Sequence, residues 1–227
     1  MAEESQNVGQ LEQIGESVSK IEKFFEDNKK TITIVVVVVA VLICGFFAYK
    51  NLYLTKQQDK ALAAMWQAQR AFDEDSFQIA LYGNENVTGF VDVIDEYSNT
   101  KAGNTAYYYA GCCAMKLGEF EDAVKYLKKF STDDPILEPL SIGLLGDAYC
   151  ELNELDKAVS KYEKAAKVAD DEYMSPMFLS KAGLVYEKLG KYSDAIKVYT
   201  KIKKEYDNSP QAASIDKYIT RANLLKK

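Results

Sequence analysis

Gly111, Gly146 and Gly183 open three copies of one spaced pattern, 35 and 37 residues apart. Seven residues on stand Gly118, Asn153 and Gly190, and twelve on stand Ala123, Ala158 and Ala195. Sixteen on come Leu127, Tyr162 and Tyr199, and nineteen on Phe130, Ala165 and Ile202. A period of this length holds two short helices and a turn. Such a unit cannot bury its own apolar face, so copies must stack. The Gly and the Ala twelve residues later are the small residues expected where paired helices approach closely. Gly118, Asn153 and Gly190 suit the left-handed position that ends a helix without a Cβ penalty. Phe120, Leu155 and Tyr192 are then expected to open the second helices. Pro139, Pro176 and Pro210 sit where new helices should begin, because a missing N–H costs little there.

These residues, with the Leu-Gly-x-x-Tyr core at Leu145, Gly146 and Tyr149, resemble the tetratricopeptide repeat family, whose period is about 34 residues. Ala182 replaces the Leu before Gly183, and Ala114 replaces the Tyr. The resemblance implies three repeats over 104–208. A cap helix should follow over 209–227, with Ile215, Tyr218, Ile219, Ala222 and Leu225 on its inner stripe and Asp216, Lys217, Thr220 and Arg221 outside. Residues 50–103 form a connecting helix, Tyr53 to Phe72, and a degenerate first repeat. Phe90, Ile94, Tyr97 and Ala102 stand 33 residues before Ala123, Leu127, Phe130 and Pro135, and Gly83, Asn84, Asn86 and Gly89 mark a loop.

From Thr31 to Tyr49 no residue is charged. As a helix this run reaches about 28 Å, near the ~30 Å hydrocarbon core of a bilayer. The β-branched stretch Val35 to Val39 brings a buried strand into consideration, but a strand of that length without a turn signal would be abnormal. The expected fold is therefore all-α: a single transmembrane helix over 31–49, then a tetratricopeptide solenoid with a C-terminal cap. Ile43 and Phe46 are too large for a signal-peptidase site, and Ile43 is wrong before a lipidated Cys44, so an uncleaved anchor is expected. Lys20, Lys23, Lys29 and Lys30 on one side balance Lys50, Lys56, Lys60 and Arg70 on the other, and charge alone leaves orientation open. A short tail inside and a large domain outside is the arrangement expected of such an anchor. In the tail, residues 1–30, Val8, Leu11, Ile14, Val18, Ile21 and Phe25 form a stripe at spacings of 3, 3, 4, 3 and 4. Four Lys against seven Asp and Glu give that tail a net charge of 4 − 7 = −3. It should meet a cytoplasmic partner helix or its own copy rather than an anionic membrane surface.

The chain has no histidine, which removes the commonest general base, the Ser-His and Cys-His nucleophiles and the most frequent metal ligand together. Without a glycine-rich phosphate loop or a converging carboxylate pair, neither an enzyme nor a cofactor or metal site is expected. Cys112 and Cys113 are adjacent and Cys150 lies 37 residues after Cys113, so no zinc pair or redox CxxC forms. Thiols packing as small apolar groups are expected. A Cys112–Cys150 disulfide stays open for an oxidising compartment, where it would leave Cys113 unpaired. From Lys56 onward 23 basic residues face 27 acidic ones, a net of −4, the wrong sign for nucleic acid.

The inner surface of such an array is lined by one face of each first helix. By register the partner groove here takes Tyr108, Cys112 and Met115, then Leu140 and Asp147, then Met177, Leu184 and Glu187. Repeats that grip the acidic C-termini of cytosolic chaperones carry Lys, Asn and Arg at matched places, where this chain has Tyr108, Cys112, Gly143, Met177 and Ser180. Met, Tyr and Leu among charges of both signs suit a tolerant groove for apolar or unfolded segments. The layout of tail, anchor, repeats and cap resembles the YfgM-like family of ancillary subunits of the SecYEG translocon. Gly89-Phe90, Ile94-Asp95-Glu96-Tyr97, Thr100-Lys101-Ala102-Gly103-Asn104 and Tyr108-Tyr109-Ala110-Gly111 resemble the versions found in tetratricopeptide proteins of Gram-negative envelopes. The resemblance implies a single-pass protein of the bacterial inner membrane with a cytoplasmic N-terminus and periplasmic repeats. It implies partnership with the SecYEG translocon and with a membrane-anchored periplasmic prolyl isomerase chaperone; unfolded secretory proteins are a further candidate for the groove. A structural scaffold or assembly factor of the cell envelope is the alternative reading of the same layout.

Overall fold

In the computed structural model, which describes residues 26–226, the chain divides into two units at Lys56 and Gln57. The stripe Val8, Leu11, Ile14, Val18, Ile21 and Phe25 lies outside the described residues. In the first unit α1, Lys29–Ala48, is a single helix whose most apolar 18 residues have a mean hydropathy of 2.9, and none of its side chains is buried among the described residues. By length and composition it could cross a membrane. A π-helical stretch, Tyr49–Leu54, follows, and the rings of Tyr49 and Tyr53 stack at 5.4 Å.

Beyond it come α2 (Thr55–Asp73), α3 (Phe77–Tyr82), α4 (Phe90–Tyr97), α5 (Lys101–Leu117), α6 (Phe120–Leu127), α7 (Leu137–Glu151), α8 (Leu155–Ala169), α9 (Met174–Lys188), α10 (Tyr192–Glu205) and α11 (Ile215–Leu225). Three helix pairs, α5/α6, α7/α8 and α9/α10, stack in chain order, and α11 packs on α10 where the next first helix would lie. The second helices begin at Phe120, Leu155 and Tyr192, as the spacing predicts. Gly118, Asn153 and Gly190 take φ of 78°, 56° and 71°, the left-handed turns between the members of each pair.

The repeated glycines serve a more specific purpose than general closeness. Each one receives the side chain sixteen residues on: a Cβ would meet Leu127 at 2.6 Å from Gly111, Tyr162 at 2.8 Å from Gly146, and Tyr199 at 2.2 Å from Gly183. Only a residue without a Cβ leaves that notch for the ring or branched chain of the second helix. Pro139 and Pro176 are buried at the third residue of α7 and α9, still inside the first turn where N–H groups have no intrahelical acceptor. Pro210 instead precedes a 3-10 turn, Ala212–Ser214, so α11 starts later than the proline suggested.

In the degenerate unit the 33-residue register holds in packing: Phe90, Val93 and Ile94 are buried as Ala123, Tyr126 and Leu127 are, although α4 and α6 begin only 30 residues apart because α4 lacks the leading turn of α6. The degenerate unit has a first helix of only six residues, and Gly83 (φ 72°) and the Asn84–Val87 bridge turn the chain back into α4. In the cap, Ile215 and Ala222 are buried but Leu225 is 52% exposed: among the described residues nothing covers the last turn of α11.

The connecting helix α2 buries Ala61, Met65, Ala68 and Ala71 on one stripe. Its glutamines also serve other helix ends: Ala102 N–H donates to Gln58 Oε1 (3.1 Å) and Thr88 N–H to Gln67 Oε1 (3.1 Å). The Ala102 amide belongs to the first turn of α5 and would otherwise lack an acceptor.

Candidate functional site

A concavity of about 300 Å³ opens where α5, α7 and α9 lie side by side, and it takes in six of the groove residues expected from register: Tyr108, Cys112, Met115, Leu140, Asp147 and Met177. Two do not belong to it. Leu184 lies outside the lining, 44% exposed, and Glu187 is bound by the cap, where Arg221 Nε and Nη2 donate to its carboxylate at 2.8 and 3.0 Å and Tyr199 Oη at 2.7 Å. The cap helix thus occupies the end of the groove face that the third repeat would have offered.

Six further residues shape the cavity: Phe72, Lys116, Gly143, Leu144, Phe178 and Lys181. Phe72 comes from α2 and meets Tyr109 edge-on at 5.4 Å, so the connecting helix supplies one wall. Nothing in the repeat register points to it. Phe178, 2% exposed, reaches α7 because Gly143 leaves it room; a Cβ there would lie 2.1 Å from the ring. Tyr108 is held from behind by Phe130 at 5.3 Å.

The charges on this face are largely matched. Lys181 Nζ donates to both oxygens of Asp147, at 2.7 and 2.8 Å, and Tyr162 Oη donates to Oδ1 at 2.6 Å. Burial and the Asp147 carboxylate beside it raise the Tyr162 pKa, so the phenol stays a donor. Lys181 stands 34 residues after Asp147, and Arg221 stands 34 after Glu187. These two carboxylates on first helices are therefore each met by a cation from the next unit, a signal that the repeat period carries and that pairwise scanning of the sequence could have found. With Asp147 satisfied, the lining offers mainly Tyr, Met, Leu and Phe surface, and Lys116 at the edge with its Nζ 5.9 Å from the Phe77 ring centroid. Such a face gains by covering apolar area. Among the described residues no group of side chains is assembled to hold a metal ion.

Cys112 reports on this cavity. Burial pushes its thiol up from 9.0 to about 11, against the smaller opposing effects of Tyr108 and Lys116. A shift of that size leaves about a hundredfold less thiolate at neutral pH, and the thiolate is the reactive form. Iodoacetamide should therefore alkylate Cys112 slowly at pH 7.5 and progressively faster as the pH rises toward 11. Mass spectrometry of peptides across 105–116 checks this; alkylation as fast as that of a free thiol at pH 7.5 would mean that Cys112 is not enclosed.

Comparison with known proteins agrees with this architecture. Models of the tetratricopeptide repeat match residues 105–135 and 144–213. The crystal structure of MamA protein superposes with a TM-score of 0.54 at 19% identity, over 73% of this chain and 91% of that one. A kinesin light chain-type protein of Podosopora anserina with nearly identical TPR-like repeats superposes with a TM-score of 0.54 at 13% identity, over 73% and 86%. At these identities the likeness concerns the fold. No curated protein sequence matches the chain. With the glycine notches and left-handed turns recurring in the same register, this chain carries tetratricopeptide repeats, which mark it as a protein–protein interaction module.

Proposed function

We propose that this protein is a membrane-anchored, non-catalytic adaptor whose concave groove holds an apolar segment of a protein partner. The observation that carries this is the cavity shared by α5, α7 and α9, lined by Tyr108, Met115, Leu140 and Met177 around an Asp147–Lys181 pair that is already neutralised. Helix-lined grooves of this kind accept extended or helical peptides, and thioether side chains adapt to varied shapes.

The apolar α1 and the ring stack of Tyr49 and Tyr53 just beyond it support an anchor, since aromatic residues favour the membrane–water interface. With the resemblance to ancillary translocon subunits, this supports a place in the bacterial inner membrane with a cytoplasmic N-terminus and periplasmic repeats. In that setting the partners are the SecYEG translocon and a membrane-anchored periplasmic prolyl isomerase chaperone, and the groove assists secreted chains as they emerge.

Photocrosslinkers at Tyr108 and Met177 of the full chain, expressed in bacterial cells, should capture secretory chains or these partners. The same crosslinker at Lys197 on α10, which is exposed and ion-paired with Asp194, should not. Met115→Glu combined with Met177→Glu should lower capture from the crosslinker at Tyr108 about tenfold or more, because each carboxylate must be desolvated to enter the apolar face, while circular dichroism stays unchanged. Equal capture from both positions, or undiminished capture by the double variant, would leave the repeats as a spacer.

A further inference from the structure

A second cleft, of about 250 Å³, lies on the other side of α7 from the groove. Glu138, Ser141, Ile142 and Leu145 line it, whereas Leu140, Gly143, Leu144 and Asp147 line the groove. At about 100° per residue these two sets occupy opposite faces of one helix. Its floor is apolar, with Leu127 and Leu145 buried and Ile142 partly so.

Three lysines ring that floor: Lys128, just past the end of α6, and Lys161 and Lys164 from α8. Nine ion pairs run among the described residues, and none of the three enters one. Lys128 lies over the Tyr149 ring at 5.7 Å, which leaves its ammonium without an anion. The one carboxylate in the lining is Glu138, so the cleft is cationic in a chain whose net charge is −6. Two hydroxyls add to the donors. Thr132 Oγ1 accepts from Asp134 N–H at 3.1 Å and keeps its hydrogen to give, and Ser131 also lines the cleft.

The shape narrows the ligand. A volume of 250 Å³ equals roughly eight waters at ~30 Å³ each, the size of one residue bearing a carboxylate and a modest side chain. An inorganic anion alone would meet the lysines but leave the floor of Leu127, Ile142 and Leu145 uncovered. We infer that this cleft is a second, separate peptide site, which takes an acidic segment of a partner protein: its carboxylates meet Lys128, Lys161 and Lys164, and a neighbouring apolar side chain enters the floor. The site does not depend on the groove. It would let two segments, one apolar and one acidic, be held on opposite faces of the same repeat.

The test uses the full chain in neutral detergent micelles and a fluorescein-labelled tetrapeptide, Ser-Ser-Glu-Leu with a free C-terminus. Binding is followed by anisotropy, and the Leu127, Ile142 and Leu145 methyl resonances report the place. The acidic peptide should bind saturably and move those resonances. The neutral peptide Ser-Ser-Gln-Leu-amide should bind about tenfold or more weakly, as should the acidic one to the variant Lys128→Gln, Lys161→Gln, Lys164→Gln, the loss of several exposed ion pairs together. Met115→Glu with Met177→Glu should leave this binding unchanged. Equal affinity for the neutral peptide, or for the triple variant, would overturn the proposal. So would methyl shifts that arise with nanodiscs containing phosphatidylglycerol but not with the acidic peptide, which would assign the lysines to a lipid surface.

Discussion

Phe178→Ala should destabilise the repeat array by about 3 to 5 kcal/mol, the usual cost of emptying a buried aromatic site. The side chain is 2% exposed and its ring crosses from α9 to the notch at Gly143 on α7, so it joins neighbouring repeats. Because the stability of stacked repeats is shared through such interfaces, the loss should extend to both flanking units. For a domain of this size it corresponds to a fall in Tm of roughly 10 °C, readable by circular dichroism. Gly143→Ala attacks the same contact from the other side, since its new methyl would lie 2.1 Å from the ring. Overpacking of this kind typically costs about 1 to 3 kcal/mol, and Phe178→Leu in that background should recover part of it. Additive losses in the double variant would show that Gly143 and Phe178 do not share one contact.

Val38→Arg should raise the cost of inserting α1 into a membrane by about 2.5 to 3.5 kcal/mol, the penalty for arginine near a helix centre on translocon scales. Val38 sits midway along Lys29–Ala48, in a helix none of whose side chains is buried among the described residues. Alkaline carbonate should then extract a substantial fraction of the variant into the soluble phase while the parent chain stays with the membranes. Complete extraction of the parent chain would overturn the anchor proposed above. Protease added outside spheroplasts then reports orientation: digestion of the repeats fits a periplasmic domain, and protection refutes it.

The groove was legible in outline because register alone places Tyr108, Cys112, Met115, Leu140, Asp147 and Met177 on one face of successive first helices. The 34-residue spacing that sets Lys181 against Asp147 also sets Arg221 against Glu187, but the docking of the cap that closes this second pair and takes Glu187 out of the groove depends on the surface it meets. Register could not supply Phe72, whose place comes from the way α2 lies against the first units through Gln58 and Gln67. The charges seemed mixed in the sequence, where Asp147 and Lys181 are 34 residues apart; in the fold they become one neutral pair.

What the sequence determined on its own was whatever is set by local spacing. That includes the helix pairs, the left-handed turns at Gly118, Asn153 and Gly190, the starts at Phe120, Leu155 and Tyr192, and an apolar α1. These depend on backbone conformation and on the 3.6-residue period, both properties of short stretches of chain. Tertiary structure alone decided which side chain fills which glycine notch, how short the first helix of the degenerate unit is, and where the two faces of α7 open into clefts. Those outcomes follow from packing between residues distant in sequence, where a missing Cβ or a ring from another helix sets the geometry, and no local pattern encodes that distance.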